Sequence, residues 1–234
     1  MSDPRPAYLL VGITRFGEPD QEDIEGTQKY QELGGKAMER AGVTIGMVAT
    51  GSADPANKME VLEGSYPYQA IAIERFPSVE GLEAFWFSEE YQEAIKVRQQ
   101  LKSGTLHFVA VLEGADPDEQ GEPPAEGVLA YSITCPPAAS EFEGYDLKKY
   151  SEIAGGIDRG YKPQLIAQVA SAEALRLLEG EWPFPGGVIV RAHPSVQSLV
   201  DYWQHPTYIE ARKNRPELAM QVIVRGFEMP DSGG

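Results

Sequence analysis

The period of the apolar positions changes repeatedly along this chain, and each change marks a predicted element. Tyr8-Leu9-Leu10-Val11-Gly12-Ile13 is an apolar run of strand length. From Glu22 to Ala41 the apolar residues Ile24, Tyr30, Leu33, Ala37 and Met38 recur at helical spacing, and Gly34-Gly35 is a weak point that ends or bends this helix. Val43 to Ala49 reads as a second strand. Met59-Glu60-Val61-Leu62 and Ala70 to Phe76 flank the turn-rich Gly64-Ser65-Tyr66-Pro67 and predict a hairpin. Ser78 caps a helix with Glu80 in its first turn and Val79, Leu82, Phe85 and Trp86 as its apolar stripe. Ser88 restarts a shorter helix, with Tyr91, Ala94, Ile95 and Arg98 on one side of it, and Thr105 to Leu112 is the last strand.

That order, β-α-β-β-α-β, is the split ferredoxin-like unit, an antiparallel sheet with its helices on one side. The pattern then returns. Leu62-Glu63-Gly64 recurs as Leu178-Glu179-Gly180, Pro67 as Pro183, Ile73 as Ile189 and Arg75 as Arg191. After one inserted residue, Pro77-Ser78-Val79 recurs as Pro194-Ser195-Val196, Trp86 as Trp203, Tyr91 as Tyr208 and Arg98 as Arg215. Lys29-Tyr30 corresponds more loosely to Lys149-Tyr150. Between the copies runs a polar, acidic, Pro/Gly-rich stretch that cannot bury apolar surface. The reading is α+β, with tandem units at 1–114 and 127–228, a linker at 115–126 and a tail at 229–234. Strands such as Ala70 to Phe76 are apolar on both faces, so one unit alone leaves a sheet face wet. Two units can lay those faces together, or join their edges into a closed barrel.

Composition narrows the partners. The chain has 234 residues and a formal charge of −16, a field that repels phosphate backbones and anionic lipid. Nucleic acid and membrane are therefore not expected as partners. No stretch approaches a membrane span, and the N-terminus lacks the pattern of a signal peptide. A cytoplasmic location is the expectation, and the single Cys135 fits a reducing compartment.

Leu62-Glu63-Gly64 with Pro67, then Phe76-Pro77-Ser78-Val79-Glu80 and Trp86-Phe87-Ser88-Glu89-Glu90-Tyr91-Gln92-Glu93-Ala94 closing on Arg98, resembles the DUF1330 family. The second copy departs from that pattern by placing His205-Pro206 where Ser88-Glu89 stands, and by its inserted residue before Pro194. The resemblance implies the dimeric α/β-barrel group of ferredoxin-like proteins, whose single-domain members dimerise to form the barrel. Here the two halves look fused in one chain, an intramolecular dimeric α/β barrel. Self-association of the fused chain is left open. The family implies a pocket but no agreed reaction, so no catalytic residue is carried over.

Candidate chemistry is sparse. Arg75 and Arg191 sit among branched aliphatics on strands, where a guanidinium either holds a small carboxylate or reaches solvent or an acidic partner. Tyr91 with Arg98, and Tyr208 with Arg215, are two helical turns apart and share a face; they line a pocket mouth or pack the helix and pair a carboxylate. Glu63 and Glu179 precede glycine turns, as buried bases or as simple turn acceptors. His107, His193 and His205 lack metal-binding spacing, so no metal is expected. Some relatives in the barrel group bind haem, but the residues here do not call for it, and no cofactor is expected. Cys135 has no activating base nearby in sequence. Phosphate-loop, dinucleotide and hydrolase signatures are absent. The function read from this pattern is the binding of a small molecule, either by an enzyme of small organic acids or carbonyl compounds that uses no cofactor, or by a non-catalytic module with packed interiors. His193 and His205 mark the second copy as the more altered one.

Overall fold

The structure is a computed structural model and describes residues 5–52, 58–116, 130–161 and 163–226. Its first half runs β1 (Ala7–Arg15), α1 (Gln21–Ala41), β2 (Gly46–Ser52), β3 (Glu60–Gly64), β4 (Ala70–Phe76), α2 (Val79–Trp86), α3 (Glu89–Arg98) and β5 (Gly104–Glu113). The second half runs β6 (Ala130–Cys135), a 3-10 turn at Ala139–Phe142, α4 (Leu147–Tyr161), β7 (Gln164–Ser171), β8 (Arg176–Gly180), β9 (Gly186–His193), α5 (Val196–Gln204), α6 (Pro206–Arg212) and β10 (Met220–Gly226).

Local chemistry accounts for the helix boundaries. Asp20 caps α1 and Gly42 ends it in the left-handed conformation. The Gly34-Gly35 pair does not break α1, which continues through both. Ser78, Ser88 and Ser195 cap α2, α3 and α5 through their side-chain oxygens. At α6 the same task falls to His205, whose ring Nδ1 accepts from the Thr207 amide at 3.2 Å while Pro206 takes the first helical position.

The pairings between these strands are antiparallel, in the order β7-β9-β6-β10-β2-β4-β1-β5-β8, with β3 added beside β10. The sheet curls until its ends approach. Gly114, just after β5, bridges Ala167 on β7, and the Ala115 amide donates to the Ile166 carbonyl at 2.7 Å. Gly114 and Ala115 are buried, so the connector begins as part of the sheet; residues 117–129 of it, and the tail at 229–234, lie outside the described residues.

The predicted hairpin of Met59 to Phe76 does not form. β4 already has β1 on one edge and β2 on the other, so β3 has no edge to take there. It crosses to β10 of the other half, and β8 makes the reciprocal crossing to β5. Gly64 and Gly180 end these two strands at φ 68° and 75°.

Side-chain alternation sorts the core into layers. The face shared by the halves packs Tyr8, Leu10, Ile71, Ile73 and Phe108 against Tyr131, Ile133, Val188, Val190 and Val222. Cys135 is buried in the same layer, and burial pushes its thiol well above the usual range. The opposite face of the first half packs Leu9, Phe76 and Val109 under Leu82, Phe85 and Trp86. Trp203, Tyr208 and Ala211 form the corresponding layer in the second half.

Candidate functional site

Strand β9 divides its side chains between two environments. Val188, Val190 and Ala192 enter the layer between the halves, whereas Ile189, Arg191 and His193 line a cavity beneath α4, α5 and α6. The cavity holds about 220 Å3. Its apolar wall includes Leu199, Trp203 and Leu218, and its polar groups include Arg191, His193, Tyr150, Tyr208, Thr134 and Gln221.

His193 is 3% exposed. Its Nε2 lies 3.0 Å from Ser132 Oγ on the neighbouring β6, and its Nδ1 is buried without a hydrogen-bond partner among the described residues. Burial, and then the nearby positive charge of Arg191, push the imidazole down to about 3, so it is neutral at ordinary pH. Arg191 itself is half-buried and forms no ion pair with a carboxylate among the described residues.

The tyrosines are held from the helices. Tyr150 on α4 and Tyr208 on α6 place their hydroxyls 3.2 Å apart. Burial, with Tyr150 adding to it, raises the Tyr208 phenol above its usual range, so it stays protonated. Arg215, 6% exposed, is committed elsewhere: it donates to both carboxylate oxygens of Glu63 at 2.7 and 2.8 Å. Thr134 donates to the Gln221 side chain.

Strand register corrects one equivalence read from the sequence. Leu10 faces Ile73 and Tyr8 faces Arg75, while Ile133 faces Val190 and Tyr131 faces Ala192. With Tyr8 and Leu10 matching Tyr131 and Ile133 in the shared layer, the counterpart of Arg75 is Ala192, that of Glu74 is Arg191 and that of Phe76 is His193. The extra residue of the second half therefore falls before β9, not after it. Arg75 and Arg191 lie on opposite faces. Arg75 is exposed beside Tyr8 and lines none of the described cavities.

Tyr91 is buried, with its hydroxyl 3.0 Å from that of Tyr30, and Arg98 pairs with Glu179. Glu63 and Glu179 are thus ion-pair partners of Arg215 and Arg98, not free bases. His205 caps α6 and is not a lining residue of the cavity. Sequence reasoning missed Tyr150, Thr134, Ser132 and Gln221; the Lys29-Tyr30 and Lys149-Tyr150 correspondence was the available signal for Tyr150.

Residues 16–112 match the DUF1330 family, a domain of unknown function. The match covers the first half, which carries Tyr30, Tyr91 and Arg98 but neither Arg191 nor His193. No curated protein matches the sequence. Among solved structures the chain is similar to DyPB from Rhodococcus jostii, at 8% identity and TM-score 0.53, covering 97% of this chain and 94% of that one. It is also similar to a mutant chlorite dismutase from Candidatus Nitrospira defluvii, at 8% identity and TM-score 0.52, covering 97% and 93%. These likenesses show the fold: mixed α+β, a curled antiparallel sheet and helices on its outer side.

A histidine-held haem does not fit this cavity, because about 220 Å3 is too little for the macrocycle and Ser132 occupies the His193 Nε2. Among the described residues no three His, Cys, Asp or Glu side chains are grouped to hold a metal ion, and no helix is long and apolar enough to cross a membrane.

Proposed function

We propose that the chain binds a small organic anion, a carboxylate or enolate, in the second-half cavity, with Arg191 as its counter-charge. The observation that carries this reading is a half-buried guanidinium lining a cavity with no carboxylate paired to it among the described residues. A partly desolvated charge without a partner is costly, and a bound carboxylate meets a guanidinium through two parallel hydrogen bonds. His193 supports the same ligand. In the tautomer in which Ser132 donates to Nε2, the proton sits on Nδ1, where a ligand oxygen would accept it. Tyr208 and Tyr150 add hydroxyls, and Trp203 and Leu199 exclude water from the apolar part of the ligand.

The frame of the proposal is a fused pair of units, 1–114 and 127–228, with residues 115–126 between them and 229–234 as a tail, forming an intramolecular dimeric α/β barrel. The reciprocal strand crossings of β3 and β8, and the reciprocal pairs Arg215–Glu63 and Arg98–Glu179, support it. The state of His193 favours binding over proton-transfer catalysis. An imidazole held at about 3 is a poor proton acceptor at neutral pH, where a general base works best near the ambient pH.

Isothermal titration with acetate, pyruvate and benzoate tests the proposal. At least one should bind the wild-type chain, and Arg191→Gln should weaken it by at least about tenfold, the loss expected for a charge-assisted pair. Unchanged affinity in Arg191→Gln, or no binding of any of the three at millimolar concentration, overturns it.

A further inference from the structure

The register places Glu74 in the first half where Arg191 stands in the second, and the two cavities under the helices thereby acquire opposite charge. Glu74 lines a cavity of about 340 Å3 with Tyr30, Tyr91, Met38, Ile45 and Phe85. The carboxyl is half-buried and makes no hydrogen bond or ion pair among the described residues. Arg98 acts on it only from a distance, because its guanidinium is paired with Glu179.

We propose that this first-half cavity binds a small organic cation, an alkylammonium or quaternary ammonium group, with Glu74 as its counter-charge. Burial raises the Glu74 carboxyl above its ordinary range and the charge of Arg98 only partly opposes this, so a cation would replace the solvation that the carboxylate has lost. Two tyrosine rings and Phe85 line the cavity, and aromatic rings attract cations, quaternary ammonium in particular. The helix α1 provides the room. Gly34 and Gly35 line the cavity from the middle of α1, and a Cβ on either would meet nothing within 4 Å. Two glycines in a helix interior weaken it without any packing need for them. Their lack of side chains leaves the space open.

Titration with tetramethylammonium and butylammonium chloride at constant ionic strength, followed by calorimetry and ligand-observed NMR, tests this. Wild type should bind at least one of them. Glu74→Gln should weaken binding by at least about tenfold. Gly34→Leu should abolish binding while leaving the thermal midpoint unchanged or higher, which separates a blocked cavity from a damaged fold. Glu39→Gln, an exposed change on the same helix, should bind as wild type and so excludes diffuse attraction to an acidic surface. Arg191→Gln should also bind as wild type, so this proposal can fail or stand independently of the anion site. Equal affinity in Glu74→Gln, retained binding in Gly34→Leu, or no binding by wild type overturns it.

Discussion

Arg215 and Glu63 come from opposite halves of the chain and meet through two hydrogen bonds of 2.7 and 2.8 Å. The Glu63 carboxylate also accepts from the Leu218 amide at 2.7 Å, and Arg215 donates to the Pro216 carbonyl at 2.8 Å. Burial alone would raise Glu63, but these donors and the charge of Arg212 hold it below the usual carboxylate range. The reciprocal pair, Arg98 with Glu179, is less complete: Arg98 donates to one carboxylate oxygen of Glu179 where Arg215 donates to both of Glu63, while in each pair the arginine Nε is buried without a partner among the described residues.

Removing one member of the tighter pair strands the other. Arg215→Met keeps most of the side-chain volume and removes both guanidinium donors from the Glu63 carboxylate, 13% exposed, leaving it the Leu218 amide and the looser Arg212 contact at 3.8 Å. The expected loss is about 3–5 kcal/mol in urea denaturation, as for other broken buried pairs. Arg98→Met should cost less. A loss under about 1 kcal/mol in Arg215→Met would mean that the pair does not hold the halves together.

The buried imidazole gives a pH signature of known sign. His193 is held at about 3 when folded, against roughly 6.5 when unfolded. Between those values the unfolded chain binds one more proton, so stability falls as pH falls, by about 1.4 kcal/mol per pH unit. The effect is absent above roughly pH 6.5. His193→Phe places in the second half the residue that Phe76 supplies in the first, and should remove this slope. The difference between wild-type and variant stability, measured from pH 7 down to pH 4, isolates the histidine from the carboxylates that also titrate there. Parallel curves would show an exposed, ordinary His193.

Much of the fold was legible because period and caps are local properties. The strand at Tyr8–Ile13, the serine caps and the tryptophan-bearing helices followed from neighbours within a few residues. The route of β3 was not, since Gly64-Ser65-Tyr66-Pro67 suits a hairpin, and only the occupied edges of β4 exclude it. The site shows the same limit. Identity of Arg75 with Arg191 suggested a shared position, but strand faces alternate every residue, and an insertion before β9 reverses them. The arginines at Arg98 and Arg215 were visible as a repeated pair. Their partners lie on strands of the opposite half, a separation no spacing rule spans.

The two strand crossings rest on glycines, and this supplies a test in which one substitution acts in opposite directions. Gly180 has φ 75°, and a Cβ there would lie 1.9 Å from the His107 carbonyl oxygen, on the strand that β8 joins. Backbone and side-chain geometry therefore both oppose alanine, since the left-handed conformation disfavours it and the clash is with main chain that Glu181 also uses as an acceptor at 3.0 Å. Gly180→Ala should destabilise the chain by at least about 2 kcal/mol. Gly34→Ala, in open space within α1, should stabilise it by about 1 kcal/mol through helix propensity. Urea midpoints read both changes with the same added methyl group. If Gly180→Ala shifts the midpoint no more than a surface substitution does, β8 does not end against β5, and the reciprocal crossing of the two halves is lost with it.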